Sequence, residues 1–170
     1  SIALGATLVL ERSFIYPAEI FKRMKETSVT VFPGVPTVYA SLISMHGRNA
    51  LSFPDVTRVT NTAAALPDGF TAQLREIFPN ALIYKMYGLT ECKRVCFLEP
   101  ELVDAKPGSV GKAIPGTEVY LLSEDGKPVP PGETGILHVR GPHVMLGYWN
   151  RPDLSAQMLR PGKFPGERVL

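Results

Sequence analysis

Ala81-Leu82-Ile83-Tyr84-Lys85-Met86-Tyr87-Gly88-Leu89-Thr90-Glu91 decides how this chain is to be laid out. Its first four residues form a short apolar run and predict a buried strand. Its last five put an aromatic ring, a flexible glycine, a hydroxyl and a carboxylate into a loop at the strand's end. Such a loop can present a ring to a base, a hydroxyl to a phosphate and a carboxylate to a metal ion. Those are the parts of a nucleotide site, although a strand-end Tyr-Gly also fits plain packing followed by a turn. One glutamate suffices for Mg²⁺, which commonly takes only one or two protein carboxylates alongside phosphate oxygens.

Upstream of this stretch, strand and helix signals alternate. Pro67 predicts a helix start, with Phe70, Leu74 and Ile77 on its buried side. Val56 to Thr60 predicts a strand, and the small residues Asn61 to Ala65 a loop after it. Val38, Tyr39, Leu42 and Ile43 share one helical face after Pro36, in a helix that Gly47 is expected to end. Val29-Thr30-Val31-Phe32 predicts a strand running into the turn Pro33-Gly34-Val35-Pro36. Residues 17–26 predict a helix with Ile20, Phe21 and Met24 inward, and Ala6 to Leu10 a first strand. The alternation implies an α/β fold, a mostly parallel sheet with flanking helices. Ligands in such sheets bind beyond the carboxyl ends of the strands. The loops Gly34-Val35-Pro36, Thr62-Ala63-Ala64 and Tyr87 to Glu91 are expected there.

The character changes near Pro107: residues 101–170 hold ten of the 15 glycines and nine of the 16 prolines, so turns replace helices. Glu118 to Leu122 and Gly135 to Arg140 predict strands, with Asp125-Gly126 and Pro130-Pro131-Gly132-Glu133 as turns. A short helix is expected over Asp153 to Leu159, with Pro152 in its first turn. Gly147-Tyr148-Trp149 is expected to be turn and core packing. The expected organisation is an α/β part over residues 1–106 and a small β-sheet or barrel subdomain over 107–170.

Composition narrows the classes. At 170 residues, 45% apolar and 20% charged, the chain is globular in type. A net charge of +2 argues against a nucleic-acid surface. No apolar run approaches the ~18 residues of a membrane span. Two cysteines, Cys92 and Cys96, make no disulfide framework, so a reducing, cytoplasmic setting is expected. They also lack the second pair that a structural zinc site needs. No Walker-type phosphate loop, Gly-x-Gly-x-x-Gly fingerprint or Gly-x-Ser-x-Gly elbow occurs. His46, His138 and His143 are scattered, and Lys22-Arg23 and Lys93-Arg94 are solvated charges.

Tyr87-Gly88-Leu89-Thr90-Glu91 resembles the signature of the adenylate-forming enzymes: acyl-CoA synthetases, luciferases and nonribosomal adenylation domains. Other segments follow in that family's order. They are Phe32 to Tyr39, with its Gly-Val-Pro; Thr62 to Pro67; and Pro107-Gly108-Ser109-Val110-Gly111-Lys112 with Ile114-Pro115-Gly116. Gly132 to Leu137, Arg140-Gly141-Pro142 and Gly147 to Pro152 complete the set. The resemblance covers nearly the whole chain and is strongest to acyl-CoA synthetases.

What the resemblance implies can be assigned residue by residue. Tyr87 would pack against adenine beside Gly88, and Thr62, Ala63 and Ala64 would line the base through their backbone. Thr90 would hydrogen-bond the α-phosphate, and Glu91 would hold Mg²⁺. Val35, Leu89 and Val95 would lie near the acyl pocket. The implied reaction joins a carboxylic acid to ATP as acyl-AMP, releases pyrophosphate and passes the acyl group to coenzyme A. Membrane contact would be peripheral, and only if the acid is a long-chain fatty acid. Thr62-Ala63 stands where the family usually has Gly-Gly, and Ala65 where it has Pro. The family's Lys-containing phosphate loop is expected upstream of Ser1, and its ribose-binding Asp and catalytic Lys beyond Leu170. The chain is therefore expected to be part of a large N-terminal domain and inactive alone. An amino-acid adenylation domain and a noncatalytic nucleotide-binding module are the alternatives.

Overall fold

The computed structural model describes residues 2–67, 69–162 and 164–170. The chain forms two compact units, residues 1–85 with 99–109, and residues 86–98 with 110–170. The exchange of 86–98 and 99–109 lies just before the compositional change near 107.

In the first unit, helix α1 (Pro17–Glu26) has proline at its start, Glu19 in its first turn and Arg23 and Lys25 in its last. That order of charges complements the helix dipole. Strand β1 (Val31–Gly34) leads to α2 (Pro36–Asn49), β2 (Arg58–Asn61), α3 (Phe70–Ile77) and β3 (Leu82–Tyr87). β1 pairs with β2 and β2 with β3, all parallel. Phe32, Val59 and Ile83 fall in one cross-strand row and are all buried. Ile20, Phe21 and Met24 of α1, Tyr39 and Leu42 of α2 and Leu74 and Ile77 of α3 join the same core. A chain of aromatic rings runs through it: Phe21 to Phe53 at 5.6 Å, Phe53 to Phe78 at 5.7 Å and Phe78 to Phe32 at 5.7 Å. Each such pair adds about 0.5–1.5 kcal/mol beyond area burial. Arg75 donates two hydrogen bonds to Asp104, at 3.1 and 2.9 Å, tying α3 to the 99–109 segment.

Four expectations for this unit need correction. Ala6 to Leu10 forms no strand, and Leu8, Val9 and Leu10 are exposed. A strand needs a ladder partner for its N–H and C=O groups, and no described residue pairs with this one. β1 lies two residues later than expected and contains Pro33, which is tolerated because β1 is bonded on one side only. α2 passes through Gly47 and stops at Ala50, whose φ of 39° is left-handed. α3 starts at Phe70 rather than Pro67, because Gly69, at φ 83°, interposes a left-handed residue.

The second unit is antiparallel. β4 (Cys96–Leu98) pairs with β5 (Lys112–Ala113). β6 (Glu118–Leu122) pairs with β7 (Ile136–Arg140) over five positions, placing Tyr120 opposite His138. Helix α4 (Pro152–Met158) precedes β8 (Arg160–Pro161) and β9 (Arg168–Val169). β6 to β9 form a four-stranded sheet of their own, without β4 and β5, in the order β6-β7-β9-β8. Arg140 binds Glu167 at 2.6 Å and Glu118 at 2.8 Å, linking β6, β7 and the approach to β9. Cys92, Val95, Cys96, Val139, Val144 and Leu170 form the core. The expected α/β architecture with a following small β-sheet is what the chain adopts. No helix among the described residues is long and apolar enough to cross a membrane.

Candidate functional site

Tyr87 is the last residue of β3, so the strand runs three residues further than the apolar run predicted. The chain then doubles back. Val95 N–H donates to the Tyr87 carbonyl at 2.9 Å, and Cys92 N–H to the Leu89 carbonyl at 3.3 Å. Gly88 makes this closure possible: a Cβ there would stand 1.8 Å from the Lys93 carbonyl oxygen. Lys93 takes a left-handed φ of 57° as the loop turns. Leu89 and Thr90 are exposed at the crest, whereas Cys92 and Val95 are fully buried beneath it. Val95 is thus a core residue of this unit.

Glu91 is held twice by one segment. Its carbonyl accepts the Met145 N–H at 2.7 Å, and its Oε1 accepts the Tyr148 hydroxyl at 2.6 Å. The Tyr148 phenol, and after it Glu91's own amide, hold the Glu91 carboxyl below the usual carboxylate range. Glu91 therefore stays an anion, a hard donor suited to a divalent cation. Tyr148 is fixed in turn: its N–H donates to Ser155 Oγ at 2.8 Å, and that hydroxyl donates to the Arg151 carbonyl at 2.8 Å. Burial pushes the Tyr87 phenol and the Cys92 and Cys96 thiols up, so all three stay neutral.

Of the turn and core packing expected at Gly147-Tyr148-Trp149, the turn is present and the core packing needs correction. Trp149 is 90% exposed, and Tyr148 is a partner of Glu91. Gly147, at φ 147°, and Asn150, at φ 52°, turn the backbone so that the ring of Trp149 points outward. Tyr148 is a site residue that the sequence alone does not reveal. It is 57 residues from Glu91 and no local pattern joins them.

The other expected site residues belong to the first unit. Val35 is half-buried at the N-cap of α2. Thr62 N–H donates to the Gly34 carbonyl at 3.2 Å, and Asn61 Nδ2 to the Ala64 carbonyl at 2.9 Å. Thr62, Ala63 and Ala64 are exposed, and Ala63 has a left-handed φ of 72°. That conformation suits the glycine expected there by resemblance.

Among the described residues no group of three or more His, Cys, Asp or Glu side chains could hold a metal. A cation at Glu91 would therefore complete its shell with oxygens from a ligand. A cavity of about 610 Å³ opens elsewhere in the second unit, lined by Gly116, Thr117, Arg140, Gly141 and Arg168 among others. None of the expected site residues lines it.

Residues 1–149 match the AMP-binding enzyme family. The chain belongs to that family. It is 33% identical over 163 residues to a long-chain-fatty-acid–CoA ligase of Bacillus subtilis (strain 168), covering 95% of this chain and 29% of the relative. The chain thus spans less than a third of the length of that curated AMP-binding relative. Among solved structures it is similar to VinN, at 42% identity and a TM-score of 0.76, over 82% of this chain and 36% of VinN. It is also similar to the o-succinylbenzoate coenzyme A synthetase MenE of Bacillus subtilis, solved in complex with ATP and magnesium ion. That likeness is 27% identity with a TM-score of 0.79, over 93% of this chain and 32% of MenE. The resemblance to adenylate-forming enzymes, and to acyl-CoA synthetases among them, is borne out.

Proposed function

We propose that the enzyme carrying this chain activates a carboxylic acid with ATP as an acyl-adenylate, releases pyrophosphate, and transfers the acyl group to coenzyme A. The observation that carries this reading is the Tyr87 to Glu91 loop, with an exposed hydroxyl at its crest and beside it a carboxylate clasped by Tyr148. Relatives named as CoA ligases, and a neighbour solved with ATP and magnesium ion, support it.

Within this reading Thr90 donates its hydroxyl to the α-phosphate, where negative charge builds as the carboxylate attacks. Tyr87 offers its half-buried ring to the adenine, and Leu89 serves the acyl group. Gly88 acts by allowing the backbone to close, which sets Thr90 at the crest. Glu91 is the residue that would hold Mg²⁺. That ion, bound with ATP, neutralises phosphate charge and orients the phosphates for in-line displacement. The setting that fits this chemistry is cytoplasmic, where ATP and CoA are available.

Glu91→Gln in the full-length protein tests the reading. It is expected to lower carboxylate-dependent ATP–pyrophosphate exchange on the order of 100-fold, the equivalent of a few kcal/mol of lost charge stabilisation. Exchange at the wild-type rate would remove Glu91 from the reaction.

A further inference from the structure

We propose that Tyr148 is a positioning residue for Glu91: it holds one carboxylate oxygen so that the other faces the cation that accompanies ATP. The proposal rests on the reading of Glu91 as that cation's ligand, and goes beyond it by naming the side chain that makes the ligand competent.

Glu91 sits on a turn whose neighbours Leu89 and Thr90 are exposed. A glutamate in such a place would be free to move among several rotamers, and freezing it costs conformational entropy. The Tyr148 hydroxyl removes that freedom by donating to Oε1 at 2.6 Å. Oε2 then remains as the oxygen not taken by Tyr148. A clasp works only if it is itself rigid, and Tyr148 is. Its backbone N–H is anchored on Ser155 Oγ at 2.8 Å, and Ser155 is anchored on the Arg151 carbonyl at 2.8 Å. Three residues before Tyr148, Met145 N–H fixes the Glu91 carbonyl at 2.7 Å. The segment therefore grips Glu91 at main chain and side chain together.

The backbone conformation points the same way. Gly147 at φ 147° and Asn150 at φ 52° flank Tyr148, and neither value is one that an ordinary residue takes readily. A Cβ at Gly147 would come within 2.9 Å of Ser155 Oγ, the atom that anchors Tyr148. Packing alone does not account for this arrangement. The adjacent Trp149, the larger ring, is left 90% exposed, while the Tyr148 phenol is directed onto a carboxylate. Side chains that orient a metal ligand without touching the metal typically carry 10–100-fold of the metal affinity, which sets the effect expected here at about tenfold.

The test is calorimetric binding of ATP to the full-length protein, without carboxylic acid, in the presence and absence of Mg²⁺. The wild type should bind ATP more tightly with Mg²⁺, by a measurable factor. Glu91→Gln should abolish that factor. Tyr148→Phe, which keeps the ring and removes the hydroxyl, should shrink it about tenfold or erase it, while leaving metal-free ATP binding and the melting temperature near wild type. Ser155→Ala, which loosens the clasp one step back, should shift the factor in the same direction by less. If Glu91→Gln loses the Mg²⁺ factor and Tyr148→Phe keeps it whole, the positioning role is overturned and the ligand role of Glu91 stands. If Glu91→Gln keeps the factor, the ligand reading falls and the role of Tyr148 falls with it. If Tyr148→Phe weakens ATP binding equally with and without Mg²⁺, Tyr148 is structural only and the proposal is overturned.

Discussion

Ala63 and Gly88 show how much backbone geometry single positions carry. Ala63 holds a left-handed φ of 72°, which costs a residue with a Cβ about 1–2 kcal/mol. Glycine escapes that cost but gives up about 0.5–1 kcal/mol of chain entropy. Ala63→Gly is therefore expected to raise stability by about 0.5–1 kcal/mol in chemical denaturation; a loss would mean the alanine methyl group makes a contact that outweighs the strain. Gly88→Ala is the opposite case. Its new methyl group would meet the Lys93 carbonyl oxygen at 1.8 Å, with backbone on both sides and no side chain able to yield. It should cost more than about 2 kcal/mol, by the same unfolding measurement. The loop that carries Thr90 and Glu91 was legible because ring, glycine, hydroxyl and carboxylate lie within five residues. Tyr148 was not, since its meaning depends on a hydrogen bond across 57 residues. Trp149 misled in the same way, because a large apolar ring in a motif says nothing about which way a turn of positive-φ residues will aim it.

The pairing of β6 with β7 carries a pH dependence. His138 on β7 is 5% exposed and stacks on Tyr120 of β6, the rings 5.3 Å apart and 9° from parallel. Burial, and after it the charge of Arg160, push the His138 imidazole below its usual range. An unfolded histidine takes its proton near pH 6.5, so below that pH the unfolded chain binds more protons than the folded one. The stability contributed by neutral His138 is thus present above about pH 6.5 and is lost as pH falls toward the folded value. His138→Phe, which keeps a ring against Tyr120, should flatten the fall in stability below about pH 6.5; an unchanged slope would show that another group carries it. Elements with a strong local pattern were legible: α1, α4 and the β6–β7 pair stand close to where apolar spacing and proline placed them. Ala6 to Leu10 has strand composition and no strand, because composition cannot supply a pairing partner. Short strands such as β4, β5, β8 and β9 exist only through their pairing and have no period to detect.

At the scale of the molecule, three parallel strands with helices and a separate antiparallel sheet were both legible from the alternation of signals and the change in glycine and proline content. The exchange of residues 86–98 and 99–109 between the two units was not, because composition changes at one point whereas packing follows contacts. The chain spans less than a third of its Bacillus subtilis relative. It is expected to show no carboxylate-dependent ATP–pyrophosphate exchange by itself; exchange from these 170 residues alone would place the complete chemistry within them. If the full-length protein follows the proposed acyl-adenylate route, the carboxylate oxygen that attacks the α-phosphate of ATP leaves with AMP when the acyl group moves on. The direct measurement uses a carboxylic acid labelled with heavy oxygen in both carboxylate positions, with ATP, Mg²⁺ and CoA, followed by mass spectrometry of the nucleotide and pyrophosphate. AMP carrying one heavy oxygen, with none in pyrophosphate, is the result predicted. Unlabelled AMP, or label released in phosphate or pyrophosphate, would contradict the acyl-adenylate route.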